Sequence, residues 1–412
     1  MTNQLHQAQP FCFALRTALL RTTARSAASV KPVSIPLQRS GLVFNPLCFA
    51  TLLVLSVSLM LAPSSAFASC GAWPQSGMNL QNQRNQSDES VLGPENVGSL
   101  EPAWETDLVE LGGGDVYTTP AVVGGHVYFP DSAGYLYKLN KDTGAVVWQK
   151  SVAEYSNKPA TAVVFSRTTP AIMGNILIIG DQGNKAPFYN GGDIEQAVGA
   201  EVMAVDIRNG QSLWTTVVDE HPFSIITAAA TIYQGVVFVG VSSAESAYSG
   251  YIGSGLPLDY TPSAKGSLVA LDLKTGEKIW QRFMTTADFS GASVWGSAPS
   301  IDEARGQVFI ATGQNYSVPQ SMQQCAQNAY DLHPEDPAAG AESARACLDD
   351  YPDNYFDSVV ALDIETGEIN WANRVIGYDA WHVACFFGHA SCPTPTGADA
   401  DFAQAPVFFT IE

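Results

Sequence analysis

Glu245, Asp353 and the amide pair Gln314-Asn315 carry oxygen atoms of the kind that hold hard cations or move protons. Each stands against a background that does not repeat it. Asp353-Asn354 precedes "SVVALDIETGEINW" (358–371), a stretch whose form recurs elsewhere in the chain, but the Asp-Asn pair does not recur with it. Repetition marks scaffold, and a residue type that breaks the repetition marks a site. Glu245 follows the apolar run "GVVFVGVSSA" at a place where the other repeats carry glycine or neutral residues. Trp295, in "SGASVWGSAPSID", lies outside the recurrent tryptophan series. Arg167, in "SRTTPA", is a guanidinium in a strongly acidic chain, suited to gripping a carboxylate with two parallel hydrogen bonds. Each has a plainer reading as well. Asp-Asn before a strand is a common turn, Glu245 beside Ser242 and Ser243 fits a solvated loop, and Gln314-Asn315 fits an ordinary turn. Trp295 could equally fill a core, and Arg167 could sit on a surface.

The elements that must position these residues announce themselves by repetition. "LYKLNKDTGAVVW" (136–148), "VMAVDIRNGQSLW" (202–214), "SLVALDLKTGEKIW" (267–280) and "SVVALDIETGEINW" (358–371) share alternating apolar residues, a polar turn ending in glycine, and a tryptophan four residues later. Period-two alternation on either side of a Thr-Gly or Asn-Gly turn predicts antiparallel hairpins. A further strand pair precedes each, as in "TTPAIMGNILIIG". Four short strands per unit with an aromatic at a fixed place is the pattern of propeller blades, and helical periods between the strands are not found. "GSLEPAWETDL", with Trp104, reads as an outer strand supplied ahead of the first full blade.

The stamp resembles the tryptophan-docking motif of the pyrroloquinoline-quinone-dependent alcohol dehydrogenases, the quinoprotein propellers of eight blades. The opening "WPQSGMNLQNQRNQ" resembles the start of their polyvinyl-alcohol-dehydrogenase-like branch. The likeness runs from Trp73 to the end of the chain. It implies an all-β propeller of four-stranded antiparallel blades, with about four to five blades present and a C-terminally truncated product. It also implies roles. Trp295 would be the floor under the quinone, Arg167 would pair with a cofactor carboxylate, and Thr227 and Ser242 would be further contacts. Glu245 and either Asn315 or Gln314 would bind Ca2+, and Asp353 would be both a metal neighbour and the catalytic base. The activity implied is oxidation of an alcohol, polymeric or secondary, by hydride transfer to pyrroloquinoline quinone, with electrons passed to a cytochrome c. Two features depart from the family pattern: Tyr117 stands where many members place glutamate, and Thr161-Ala162 where many carry adjacent cysteines. The alternatives are a non-catalytic envelope propeller scaffold, whose stamp is looser, and an inactive fragment.

Charge and cysteines bound the rest. The chain has 412 residues, a net charge of −20 and seven cysteines, and no acidic residue precedes Asp88. Such acidity makes nucleic acid and anionic lipid poor partners. Arg16, Arg21, Arg25, Lys31 and Arg39 lead into the apolar run "LCFATLLVLSVSLMLA" (47–62) and then "SSAFASC". This predicts a targeting segment over 1–68, cleaved after Ala68 on export to the periplasm, with the propeller over 69–412. A retained membrane anchor and a transit peptide are the alternatives. Cys325 and Cys347, and Cys385 and Cys392, bracket two polar insertions and are expected to pair locally, leaving Cys70 over. A C-x-x-C-H haem motif is not present, so the cytochrome would be a separate protein.

Overall fold

The computed structural model describes residues 71–159, 162–182, 198–249, 260–296 and 298–409. The targeting segment, Cys70 and Thr161 lie outside them, and among the described residues no helix is long and apolar enough to cross a membrane. The described part divides into a short piece, Asp88–Ser99, and the main body that carries everything below.

Each repeat folds as one antiparallel sheet with strands in chain order. The first blade is β1 (Ala121–Val123), β2 (His126–Pro130), β3 (Tyr135–Asn140) and β4 (Val146–Ser151). The second is β5 (Ala171–Met173), β6 (Ile176–Gly180), β7 (Ala200–Asp206) and β8 (Gln211–Asp219). A two-residue strand, β9 (Ser224–Ile225), pairs with Ser242 and Ser243 of the third blade. That blade is β10 (Thr231–Tyr233), β11 (Val236–Ser243), β12 (Ser267–Asp272) and β13 (Lys278–Phe283). The fourth is β14 (Ser300–Asp302), β15 (Gln307–Ala311), β16 (Ser358–Asp363) and β17 (Ile369–Arg374). Alternation places the apolar side chains of each sheet against the next. Tyr128 and Leu136 of the first blade share one core with Leu177, Ile179 and Met203 of the second. Phe238 and Leu268 of the third share another with Val308, Ile310 and Val360 of the fourth.

The stamp tryptophans join consecutive blades. Trp214 donates its indole N–H to the Leu273 carbonyl at 3.0 Å, and a Cβ on Gly276 would come within 2.6 Å of its ring. Trp148 reaches Ile207 and Gly210, and Trp280 reaches Ile364 and Gly367, in the same way. These glycines have φ between 69° and 74°, so both their backbone and the ring beside them exclude a side chain. Residues around Trp104 form no strand. The ring nevertheless docks on Gly144 and donates to the Lys141 carbonyl at 2.8 Å, as the stamp residues do. It keeps the contact without the ladder because no described strand lies beside it to pair with.

Two further elements position the site. The N-terminal stretch threads along the innermost strands: Trp73 bridges Val122 of β1, Pro74 accepts from Ile172 of β5, and Leu80 accepts from Ile301 of β14. The polar insertion between β15 and β16 is helical over Gln320–Asp331 and Pro337–Ser343, contrary to the all-β expectation there. It lies off the repeat and is closed by the Cys325–Cys347 disulfide, and Cys385–Cys392 closes a second loop.

Candidate functional site

Strands that alternate in direction bring two kinds of loop to one end of every blade: the entry to the innermost strand, and the connection from second strand to third. Arg167, Thr227 and Trp295 occupy entry loops, before β5, β10 and β14. Glu245, Gln314, Asn315 and Asp353 occupy second-to-third connections. All therefore share one face.

Arg167, Thr227 and Trp295 line a single cavity of about 300 Å³, together with Tyr117, Thr169 and Arg84. The Thr227 hydroxyl donates to the Trp295 carbonyl at 2.5 Å, which fixes the loop that carries the indole. Burial pulls the Arg167 guanidinium below its ordinary range, and among the described residues no carboxylate pairs with it. Arg167 remains exposed at the cavity wall, so its charge is open to solvent and to whatever enters the cavity. Arg84 donates to Gln404 at 3.1 Å. Ser242 is buried in the ladder beside Ile225 and does not line this cavity.

None of the expected metal ligands lines this cavity. Glu245 is wholly buried, and its carboxylate is surrounded by protein donors: the Tyr260 hydroxyl and the backbone N–H groups of Ser263 (2.9 Å) and Ala264 (2.7 Å). The His221 imidazole lies 3.6 Å away. Asn315 exchanges both amide hydrogen bonds with Asn354, at 2.9 and 3.2 Å, and donates to the Ser290 carbonyl. Asp353 is exposed and, among the described residues, accepts from the Tyr355 hydroxyl alone, at 2.9 Å. The loop buries Asn354 in its place because an amide can satisfy an amide where a lone carboxylate would be left uncompensated. A Ca2+ site built on Glu245, Asn315 and Asp353 therefore does not fit these residues as folded.

One acid escaped the sequence reading. Asp357 has no exposed surface, no N–H or hydroxyl group reaches its oxygens, and its carboxyl pairs with that of Asp379. The same strand-entry position holds Gly134, Ala200 and Gly266 in the other blades, and that was the available signal. Asp357 even keeps the positive φ of a glycine, 42°. Around it gather Asp379, Asp399 and Asp401. Burial, and then the charges of Asp379 and Asp401, push its carboxyl up to about 10. Burial likewise raises Asp401 to about 6 and lifts Asp379 and Asp399. Arg374, which senses Asp357, is bonded instead to the Asn354 carbonyl. The Trp295 indole N–H lies beside Asp401 without forming a well-aligned hydrogen bond, so the cluster backs onto the cavity wall.

The sign of the pH effect follows. Raised carboxylate pKa values mean that the folded chain holds protons the unfolded chain releases. The stabilisation is full below about pH 4. It is lost as pH rises, through about 6 for Asp401 and onward to about 10 for Asp357. In chelator, the melting temperature is expected to fall by roughly 2–4 °C more between pH 5 and 8 in the wild type than in Asp357→Asn. Equal slopes in the two proteins would contradict this account of the cluster.

A family model described as outer membrane protein assembly factor BamB, PQQ_2, matches residues 99–250 and 185–373. The polyvinylalcohol dehydrogenase of Sphingopyxis sp. (strain 113P3) is 27% identical over 304 residues, 70% of this chain and 38% of its own length. That of Pseudomonas sp is 26% identical over 357 residues, 82% of this chain and 46% of its own. The solved quinohemoprotein alcohol dehydrogenase ADHIIG from Pseudomonas putida HK5 matches with a TM-score of 0.53 at 19% identity, over 76% of this chain and 41% of that one. The chain thus spans less than half the length of these relatives.

Proposed function

The chain belongs to the PQQ_2 propeller-repeat family, and from that premise we propose that its cavity face binds pyrroloquinoline quinone in an exported alcohol dehydrogenase, periplasmic and coupled to a cytochrome c. The observation that carries the reading is the meeting of Arg167, Thr227 and Trp295 at one cavity. A flat ring bearing carboxylates asks for a flat apolar surface and a guanidinium, and these residues supply both. When bound, the quinone would supply two-electron oxidising chemistry toward an alcohol. The protein's own part is position and charge. Trp295 orients the ring plane, Arg167 fixes its direction, and Thr227 holds the Trp295 loop in place. Proton removal from the alcohol needs an acceptor inside the fold. Asp353, being exposed, is not assigned that part. Asp357 is enclosed, but it keeps its own proton at neutral pH unless positive charge is brought beside it.

The test is a titration of the chain with pyrroloquinoline quinone, followed by tryptophan fluorescence. Saturable quenching is expected. Arg167→Gln should weaken binding by roughly 10- to 100-fold through the lost charged hydrogen bonds. Trp295→Ala should weaken it at least as much. A folded chain that shows no saturable quenching is a propeller scaffold, and the reading is then wrong.

A further inference from the structure

We infer that Arg84 is a second anion-binding residue of the Arg167 cavity, so that the ligand accepted there is a flat molecule with two separated carboxylates, one for each guanidinium. The inference deepens the preceding reading of the cavity and rests on it for the kind of ligand. It concerns a residue to which that reading gives no part.

The two guanidiniums reach one cavity from distant parts of the chain. Arg167 comes from the loop ahead of β5, and Arg84 from the N-terminal stretch "WPQSGMNLQNQRNQ", which also supplies Ser76 to the lining. Among the described residues that line the cavity there is no carboxylate. Nor does either arginine form an ion pair with any described residue. Both are exposed, and Arg84 gives one donor to the side chain of Gln404, a neutral acceptor, at 3.1 Å.

The backbone fixes where the Arg84 side chain starts. Its φ is 51°, a left-handed value that is costly for a long side chain and persists where the surroundings enforce it. Its N–H donates to the Gly77 carbonyl at 3.0 Å, which winds the stretch into a coil. Within the coil a Cβ on Gly77 would stand 2.0 Å from the side-chain oxygen of Asn82. Asn82 is buried and donates to the carbonyls of Ala298 at 2.9 Å and Pro406 at 3.2 Å. Ala298 lines the cavity, and so does Ala405, the neighbour of Pro406. The base of Arg84 is therefore fastened to the cavity wall, while its charged head is tied only to an uncharged amide.

A guanidinium matches a carboxylate through two parallel hydrogen bonds. A ligand with one carboxylate can satisfy one of these arginines. A ligand with two gains both contacts while losing its freedom of motion once, so the pair discriminates by the number of acids. Trp295, on the same wall, adds the requirement that the body between the acids be flat.

The probes are a naphthalene dicarboxylate with its acids on opposite rings and the monocarboxylate of the same ring system. Each is titrated by calorimetry into the full chain without quinone. The dicarboxylate is expected to bind at least about tenfold more tightly. Arg84→Asn is the variant, because asparagine accepts a left-handed backbone. It should weaken the dicarboxylate about tenfold and the monocarboxylate by no more than about twofold. Arg84→Lys serves if that variant fails to fold, and should lose part of the preference, since it keeps the charge without the fork. A folded wild type that binds neither probe, or binds both equally, overturns the inference. So does an Arg84→Asn variant that keeps the full preference, or tighter binding of inorganic phosphate than of the dicarboxylate. Quinone quenching that responds to Arg167→Gln but not to Arg84→Asn would sink the role of Arg84 and leave the proposed function standing. A dicarboxylate preference that needs Arg84, without quinone quenching, would do the reverse.

Discussion

Lys158→Met is expected to destabilise the chain by about 3–5 kcal/mol, the cost of uncovering a buried charge. The Lys158 side chain has no exposed surface. Its ammonium donates to Asp181 at 2.5 Å, to Glu201 at 3.0 Å and to the Gly199 carbonyl at 3.0 Å. Both carboxylates are as buried as the lysine. Burial already pushes Asp181 up, and Lys158 is the largest influence opposing that rise. Without it, two negative charges face each other inside the second blade. They must either repel or take up protons. Urea denaturation at pH 7 measures the loss, and a change below about 1 kcal/mol would mean that the triad is not a buried unit. The sign with pH is defined: with the Asp181 pKa raised further, that acid costs least in the variant when protonated, so the deficit shrinks toward pH 4. Lys158→Met combined with Asp181→Asn and Glu201→Gln should recover much of the loss, because it removes the charges together with their partner.

Gly276→Val should cost about 2–4 kcal/mol, the sum of a left-handed backbone penalty and an overpacked contact. Its φ is 74°, and its Cβ would stand 2.6 Å from two ring atoms of Trp214. The ring cannot retreat without giving up its hydrogen bond to Leu273. Gly235 is the control: it also has positive φ, 82°, but a Cβ there meets nothing within 4 Å. Gly235→Val should therefore show the backbone cost alone. Equal losses in the two variants, read by thermal melts, would show that the tryptophan contact adds nothing.

The two variants mark what periodicity can and cannot reveal. The stamp spelled out hairpin, turn glycine and tryptophan together, because each is forced by the same strand geometry. Arg167, Thr227 and Trp295 were singled out through the family resemblance, and the fold brings them to one cavity because each lies in an entry loop ahead of an innermost strand. Asp353, Asn354 and Asp357 lie within five residues of one another in an irregular loop, where no period says which side chain turns inward. Hydrogen-bond satisfaction decided it, through the reciprocal amide pair of Asn354 with Asn315, formed across 39 residues. The helices of Gln320–Asp331 and Pro337–Ser343 were missed because they lie in an insertion outside the repeat. Lys158 carried no signal at all, since its partners come from two other strand ends.

The tryptophan contacts also give the chain a direction in time. Each indole belongs to one blade, but its glycine and its hydrogen-bond acceptor belong to the next, 59 residues later for Trp148 and Trp214 and 84 later for Trp280. At a synthesis rate of about 5–20 residues per second, a ribosome that has just released such a tryptophan needs roughly 3–17 s to deliver its cover. Through that interval the indole and the outer strand beneath it stay open to other chains. The wait is longest for Trp280, because the helical insertion must emerge before Gly367 does. Holding chaperones, cold shock and slow codons would all act first on the third blade.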